Sequence, residues 1–370
     1  MKVAFDHHIF MLERYGYGGG PRYIFELASR LPAQGVSEVC VVAPLHINNY
    51  LAVDSARGFT RGTHLPYTLA RLPGFVSSLW LANQYVAPLA WRGVHPDIVH
   101  ETYYAFKPVG KAQGRVVTVY DMIYELFPEE FPNAQQWSAA KRAAVDRADH
   151  IICISENTRR DLIRLFDIDP GRTSVVHLGY SMTAEPNVTK ADFRPGRPSL
   201  LYVGNRLGYK NFSTLLQAYS SSPILREFEL VAFGGHPLLP GEQREIRRLG
   251  IGERVRFESG SDRELAAWYQ AASAFIFPSK YEGFGLPPLE AMSHGCPVVC
   301  SNAGSIPEVV GDAGVYFDPD SAEDLRVALE RVATGEQLQA DLRARGYARI
   351  AAFSWDKCAA ETAQIYREII

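Results

Sequence analysis

The sequence predicts an α/β fold of two doubly wound, Rossmann-like domains, and three observations carry that expectation. The chain has 370 residues, the length of about two domains. Short runs rich in Val and Ile alternate with longer helical patterns, the rhythm of parallel sheets with crossover helices. That rhythm stops once, in a stretch rich in Pro, Gly and polar residues from Ser181 to Pro198, and then restarts. Hydrophobic residues make up 47% and charged residues 21%, which supplies two cores and excludes disordered and fibrous classes.

In the first domain, expected over residues 1–183, the apolar runs are Val3 to Asp6, Val39 to Pro44, Asp97 to Thr102, Val116 to Asp121, Ile151 to Ser155 and Val175 to Gly179. Their near-continuous hydrophobicity marks strands covered on both faces. The second domain, expected over 196–354, repeats the pattern with Leu200 to Gly204, Leu230 to Gly234, Val255 to Glu258, Ala274 to Pro278, Pro297 to Ser301 and Val315 to Phe317. A last helix, 355–370, follows the completed second series and is expected to pack back on the first domain. In open parallel sheets ligands bind beyond the C-terminal ends of the strands, so two such domains facing each other enclose a cleft.

After the first strand comes a loop with Gly18, Gly19 and Gly20, then an amphipathic helix from Tyr23 to Leu31. Glycines admit a ligand close to the backbone, and the helix N-terminus offers N–H groups to an anion; the alternative is a flexible turn. Neither G-x-G-x-x-G nor a P-loop follows that strand, which weakens dehydrogenase and kinase readings. In the second domain, Arg206 and Lys210 place two cations on the loop after Leu200 to Gly204, a pair suited to a diphosphate, against the alternative of solvated surface charges. The segment after Ala274 to Pro278 carries Glu282, Gly283, Phe284, Gly285, Leu286, Pro287, Pro288 and Glu290. The prolines suit a first helical turn, the glycines expose N–H groups to phosphate oxygens, and carboxylates beside a phosphate site are suited to sugar or ribose hydroxyls.

The balance of 38 Lys and Arg against 41 Asp and Glu gives a net charge of −3, which argues against a general nucleic-acid binder. The five cysteines are odd in number and lie mostly in apolar runs, so a reducing compartment is expected and a metal site is not. The N-terminus opens on a strand-like run without a signal-peptide pattern, and secretion is not expected. Leu72 to Trp91 has no charged residue, yet Pro73, Gly74, Asn83, Gln84 and Pro88 make it a poor membrane span. It reads as a helix packed in a core. The sharper alternative is that Phe75, Leu79, Trp80, Tyr85 and Trp91, between Arg71 and Arg92, form a face for a membrane or greasy acceptor.

Glu282 and Glu290 match the E-x7-E motif of retaining glycosyltransferases with the GT-B fold, and the block EGFGLPPLEAMSHGCPVV resembles family 4 of that group. FDHHIF, TVYDMIYELFPEEF, ISENTRRDL, YVGNRLGYKNF, SNAGSIPEVVGDAG and the closing FSWDKCAAETAQIYREI extend the resemblance over nearly the whole chain, toward members that build bacterial surface polysaccharides. The resemblance implies a cytoplasmic enzyme, free or at the inner membrane face, without a cofactor, which moves a hexose from a nucleotide-sugar donor to a glycan or lipid-linked glycan. GDP-mannose is the first choice of donor and a dTDP- or UDP-sugar the second. By it, Arg206 and Lys210 grip the donor diphosphate, Glu290 binds the ribose hydroxyls, Glu282 contacts the transferred sugar, and backbone N–H groups around Phe284 and Gly285 complete the site. Where many relatives have a His facing the sugar, this sequence has Tyr120 beside Asp121, and both stay candidates for assisting the acceptor hydroxyl. A nucleotide-sugar epimerase and a catalytically silent nucleotide-sugar-binding protein are the competing readings.

Overall fold

The computed structural model describes residues 1–11, 19–180 and 196–370. The chain divides into two compact units, Met1–Gly179 with Ser354–Ile370, and Tyr180–Phe353. Each is an all-parallel sheet with helices on its faces.

In the N-terminal unit the strands are β1 (Lys2–Phe5), β2 (Glu38–His46), β3 (Thr60–His64), β4 (Ile98–Glu101), β5 (Gly114–Val119), β6 (His150–Cys153) and β7 (Thr173–Val175). Their spatial order is β3-β2-β1-β4-β5-β6-β7. The helices are α1 (Gly19–Arg30), α2 (Phe75–Ala90), the single turn α3 (Ile123–Leu126), α4 (Ala134–Arg147) and α5 (Glu156–Phe166). In the C-terminal unit, β8 (Ser199–Val203), β9 (Glu229–Phe233), β10 (Val255–Glu258), β11 (Ala274–Phe277), β12 (Val298–Ser301) and β13 (Gly314–Phe317) lie in the order β10-β9-β8-β11-β12-β13. They alternate with α6 (Phe212–Ser221), α7 (Pro240–Arg248), α8 (Asp262–Ala271), α9 (Leu286–Ser293), α10 (Ile306–Val310), α11 (Ala322–Thr334) and α12 (Glu336–Ile350). Both orders reverse direction between the first strand and the fourth, at β1/β4 and at β8/β11, so each sheet has a crevice beyond its strand ends at that switch point.

The strand runs of the sequence are found nearly residue for residue because the central strands are buried on both faces: β4, β11 and β12 have no exposed position. The last run of this unit is shifted, since β7 covers 173–175, and the chain leaves the sheet after the Val176 amide donates to the Cys153 carbonyl of β6 at 3.0 Å. One strand has no counterpart in the sequence reading. β3 (TRGTH) is an exposed edge paired in parallel with β2, and it fits there because Gly62 brings its backbone against the Ala43 carbonyl, where any Cβ would collide.

The closing helix, α13 (Trp355–Ile369), belongs to the N-terminal unit. Trp355, Cys358, Ala359, Thr362, Ala363 and Tyr366 are buried at helical spacing, and Ser354 caps the start by accepting from the Lys357 amide at 3.1 Å. Its Tyr366 hydroxyl pairs with His100 Nδ1 on β4, while His100 Nε2 meets Thr118 Oγ1 at 2.8 Å.

The stretch from Leu72 to Trp91 departs from the core-packed reading. α2 buries only the row Leu79, Asn83 and Ala87, with Trp91 just beyond it, while Trp80 and Tyr85 are exposed and Phe75 is half-buried. The five aromatic and aliphatic residues of that stretch therefore do not share one face.

Candidate active site

In the C-terminal unit the chain leaves β8 at Val203 and turns through Gly204 to Asn211 before α6. Asn211 fixes this loop. It is buried in a left-handed conformation, φ 60°, that an Asn tolerates better than most residues. Its amide donates to the carbonyls of Pro278 at 3.1 Å and Pro319 at 2.7 Å, and its Oδ1 accepts from Thr214 Oγ1 at 2.6 Å. Pro278 directly follows β11, so this side chain ties together the loops on both sides of the switch point. The Lys280 amide repeats the link by donating to the Tyr209 carbonyl at 2.7 Å.

Held in this way, Lys210 and Glu282 meet. Lys210 Nζ lies 2.7 Å from Glu282 Oε1 and 2.9 Å from Oε2, and 5.1 Å from the Tyr209 ring centroid. Both side chains keep limited access to solvent, at 21% and 11% exposure. Arg206 goes elsewhere. Its Nε donates to Glu242 Oε1 on α7 at 2.8 Å, its other nitrogens to the carbonyls of Gly234 and His236, and its guanidinium lies over Phe212 and Phe257. The two cations of one loop thus serve different partners, and three of the five guanidinium N–H groups are engaged.

The loop after β11 is buried from Tyr281 through Gly285, with Gly283 and Phe284 within it, and Leu286 opens α9. Gly285 has φ 111°, where a side chain would be strained, and this reverses the chain into Pro287 and Pro288 of the first turn. Ser305 pins the loop by sharing its hydroxyl proton between the carbonyls of Glu282 at 2.9 Å and Phe284 at 2.8 Å. Gly304 permits this approach, since a Cβ there would come 3.1 Å from the Glu282 nitrogen. Glu290 is half-buried one turn inside α9 and hydrogen-bonds Tyr269, whose hydroxyl is pushed well above its ordinary pKa by burial and by this carboxylate.

The switch point of the N-terminal unit carries Asp6 after β1 and Thr102 after β4. Asp6 is fully buried and accepts from the His8 amide at 3.1 Å, the Thr102 amide at 3.2 Å and the Thr102 hydroxyl. Its other oxygen faces His8 Nδ1 at 3.0 Å. Burial opposes charge on Asp6, yet His8, His7 and Thr102 hold it well below the usual carboxylate range. Burial likewise opposes charge on His8, and the Asp6 carboxylate overrides it to raise the imidazole pKa. His7, stacked on His8 at 4.5 Å, is pushed down to about 4 by burial and by the neighbouring ring.

Tyr120 points inward. Its hydroxyl donates to the Thr102 carbonyl at 2.9 Å, its amide donates to the Tyr104 hydroxyl at 3.1 Å, and burial raises its pKa well above the ordinary value. Asp121 is partly exposed, and its Oδ1 accepts from the Ile123 amide at 3.1 Å, capping the turn that becomes α3. Behind it, the fully buried Lys141 donates to the Asp121 carbonyl at 2.8 Å and to Glu125 Oε2 at 2.7 Å. Gly19 and Gly20 open α1, and Gly20 packs on Ile9, which leaves little room for a side chain. Gly18 lies outside the described residues.

Sequence reasoning did not single out Asn211, Ser305, Glu242, Asp6, His8 or Thr102 as site residues. The signal was present in part, since Asp6 and Thr102 are polar residues ending apolar runs and Asn211 is a cap-type residue before a helical pattern. All five cysteines are free and four are buried. Among the described residues no group of three or more His, Cys, Asp or Glu side chains is placed to hold a metal ion.

Residues 17–183 match Glycosyltransferase Family 4, and residues 185–349 match the glycosyl transferases group 1 family. The O-antigen chain mannosyltransferase B of Escherichia coli is 32% identical over 271 residues, 70% of this chain and 71% of that protein. A serotype-specific mannosyltransferase of Escherichia coli is 29% identical over 308 residues, 74% of this chain but only 37% of that longer protein. Among solved structures, the Anabaena protein HepE in complex with UDP and glucose superposes with a TM-score of 0.72, 18% identity and full coverage of both chains. With both halves matched in order, and with the two doubly wound sheets that such enzymes share, the chain belongs to the family 4 glycosyltransferases of GT-B fold.

Proposed function

We propose that this chain transfers mannose from GDP-mannose to a hydroxyl of a glycan or lipid-linked glycan in the assembly of bacterial O-antigen or another surface polysaccharide, with retention of the anomeric configuration. The observation that carries the reading is the pairing of Lys210 with Glu282 at the β8/β11 switch point, on loops locked by Asn211 and Ser305. The mannosyltransferase relatives support the choice of sugar.

In the reaction the bond from the anomeric carbon to the diphosphate oxygen breaks, the bond to the acceptor oxygen forms on the same face, and the acceptor proton passes to the departing phosphate. Negative charge grows on the leaving diphosphate. In this reading Lys210 stabilises it, with the remaining donors of Arg206 and backbone amides at the start of α9, and turnover requires neither a metal ion nor a cofactor. Glu282 accepts hydrogen bonds from the sugar hydroxyls, Glu290 from the ribose, and Asp121 orients the acceptor hydroxyl. The location is the cytoplasm or the inner membrane face; no helix among the described residues is long and apolar enough to cross a membrane.

A binding screen of GDP, UDP and dTDP against the purified protein tests the donor, and NMR of the glycoside formed from GDP-mannose tests retention. GDP is expected to bind tightest, and transfer is expected to survive a chelator. A UDP-sugar donor is the second reading, favoured by the solved structure with UDP and glucose; preferential UDP binding would establish it. Release of nucleoside diphosphate only when acceptor is present separates transfer from epimerisation and from silent binding.

A further inference from the structure

The helix α2 is apolar on two opposite sides. Its buried row, Leu79, Asn83 and Ala87, is fastened to β2 by Asn83, whose Oδ1 accepts from the Leu45 amide at 3.1 Å and whose Nδ2 donates to the Leu45 carbonyl at 2.8 Å. The row Leu81, Tyr85 and Leu89 starts two residues later, about 200° round the helix, and therefore faces away from the sheet. With Trp80 beside it and Leu72 just before the helix, five of the thirteen large apolar side chains exposed in the described chain fall within eighteen residues. Tyr85 is the most open at 73% and Trp80 is at 53%. Apolar surface gathered in this way marks a contact site.

The charge around it says with what. From Ser55 to Pro96 there are four arginines, Arg57, Arg61, Arg71 and Arg92, and no Asp or Glu, in a chain of net charge −3. Arg71 lies at the N-terminal side of α2, while Arg61 donates to the Arg92 carbonyl at 2.9 Å and so sets two cations at its C-terminal end. Arg57 is spoken for by Asp54, at 3.1 Å. We propose that this face docks the protein on the surface of a bilayer bearing anionic headgroups, with α2 lying in the interface. Trp and Tyr are the aromatic residues that settle at headgroup level, Leu81 and Leu89 reach the acyl boundary, and the arginines at both ends meet the phosphates. α2 has 16 residues and does not cross. A second copy of the chain is a poorer occupant, because a two-fold contact through this face sets arginines against arginines with no acid in the segment to answer them. The proposal is independent of the donor reading above.

The test is flotation of the full chain with vesicles of phosphatidylcholine alone and with about one third phosphatidylglycerol. The protein is expected to float with the anionic vesicles only, and less at high salt. Trp80→Ser with Tyr85→Ser is expected to weaken association at least about tenfold, and Arg71→Glu with Arg92→Glu at least about fivefold per charge. All four side chains are exposed, so an unchanged circular dichroism spectrum and melting temperature are expected to accompany the loss. No flotation, equal flotation with neutral vesicles, or full flotation of the aromatic variant would overturn the proposal. So would a dimer in light scattering that the aromatic variant dissociates.

Discussion

The switch-point crevices of the two units are built on one plan but differ in how far their charged groups are enclosed. Each joins a loop after the first strand to a loop after the fourth, and each brings a carboxylate against a basic side chain. At β1/β4 the carboxylate is Asp6, fully buried, with Oδ1 accepting from the amides of His8 and Thr102 and from the Thr102 hydroxyl, and Oδ2 facing His8 Nδ1. At β8/β11 it is Glu282, whose side chain and its Lys210 partner keep some solvent access. A carboxylate fully enclosed and paired within its own fold has no exposed oxygen to offer a ligand, and removing it leaves several donors unpaired. An ion pair that keeps some access to solvent is different, because a ligand can reach it: the ammonium can turn to a phosphate while the carboxylate accepts from a hydroxyl of the same ligand. The first arrangement is therefore expected to serve stability, and the second, under the proposed function, the chemistry.

Lys210→Ala tests that division most sharply. Transfer is expected to fall by roughly a hundredfold to a thousandfold, as when one preorganised donor to a developing negative charge is lost. Single-turnover kinetics measure this, and a normal rate would remove the functional half of the comparison. Asp6→Asn is the counterpart. An amide group facing the Thr102 and His8 donors is expected to cost about 2 to 3 kcal/mol of stability, read by denaturation, with little change in nucleotide affinity. Glu290→Gln is expected to weaken nucleotide binding by about tenfold to a hundredfold through a lost charge-assisted hydrogen bond, measured by calorimetry with the fold intact.

Acid is expected to strike the N-terminal unit through its buried imidazoles. His100 is pushed down to about 3 by burial, and His7 to about 4 by burial and the His8 ring, so both stay neutral in the folded chain. Below pH about 6.5 the unfolded chain takes up protons that the folded chain refuses, and stability falls until those lower values are reached. His8 works in the opposite sense: its raised pKa stabilises the fold at low pH, and that contribution fades as pH rises through the raised value. The melting temperature is expected to drop by several degrees between pH 7 and 5. In His100→Gln the slope is expected to flatten, which assigns the drift to the contact between β4 and α13.

The strands were legible because a parallel sheet covered on both faces writes continuous apolar runs, and twelve of them were read in order. β3 was not, because an exposed edge strand held by backbone pairing and by Gly62 needs no apolar residue. The E-x7-E block and the two cations were legible as residue types at strand ends. Their partners were not: Lys210 and Glu282 are 72 residues apart, and Asp6 and Thr102 are 96 apart, and no periodicity encodes which strand ends adjoin. Nor does spacing reveal that Arg206 turns to Glu242. For α2 the apolar pattern was clear, but which side the sheet covers depends on Asn83 and its bonds to β2.

The smallest expected effect concerns Tyr120 and Asp121, where the structure adds constraints to both candidates. The Tyr120 hydroxyl is spent on the Thr102 carbonyl, so its removal loosens the same loop that Asp6 holds, and Tyr120→Phe is expected to lower stability by about 1 kcal/mol. Asp121 caps Ile123 with one oxygen, Oδ1, which leaves Oδ2 for an acceptor hydroxyl. Asn can keep the cap through its carbonyl oxygen, but it presents an amide in place of the second carboxylate oxygen and carries no charge. Asp121→Asn is therefore expected to fold and bind nucleotide as before while losing about tenfold in transfer, a barrier rise of about 1.4 kcal/mol. An unchanged transfer rate in Asp121→Asn would show that the cap is its whole role, and a crippled rate in a well-folded Tyr120→Phe would move the acceptor contact to the tyrosine.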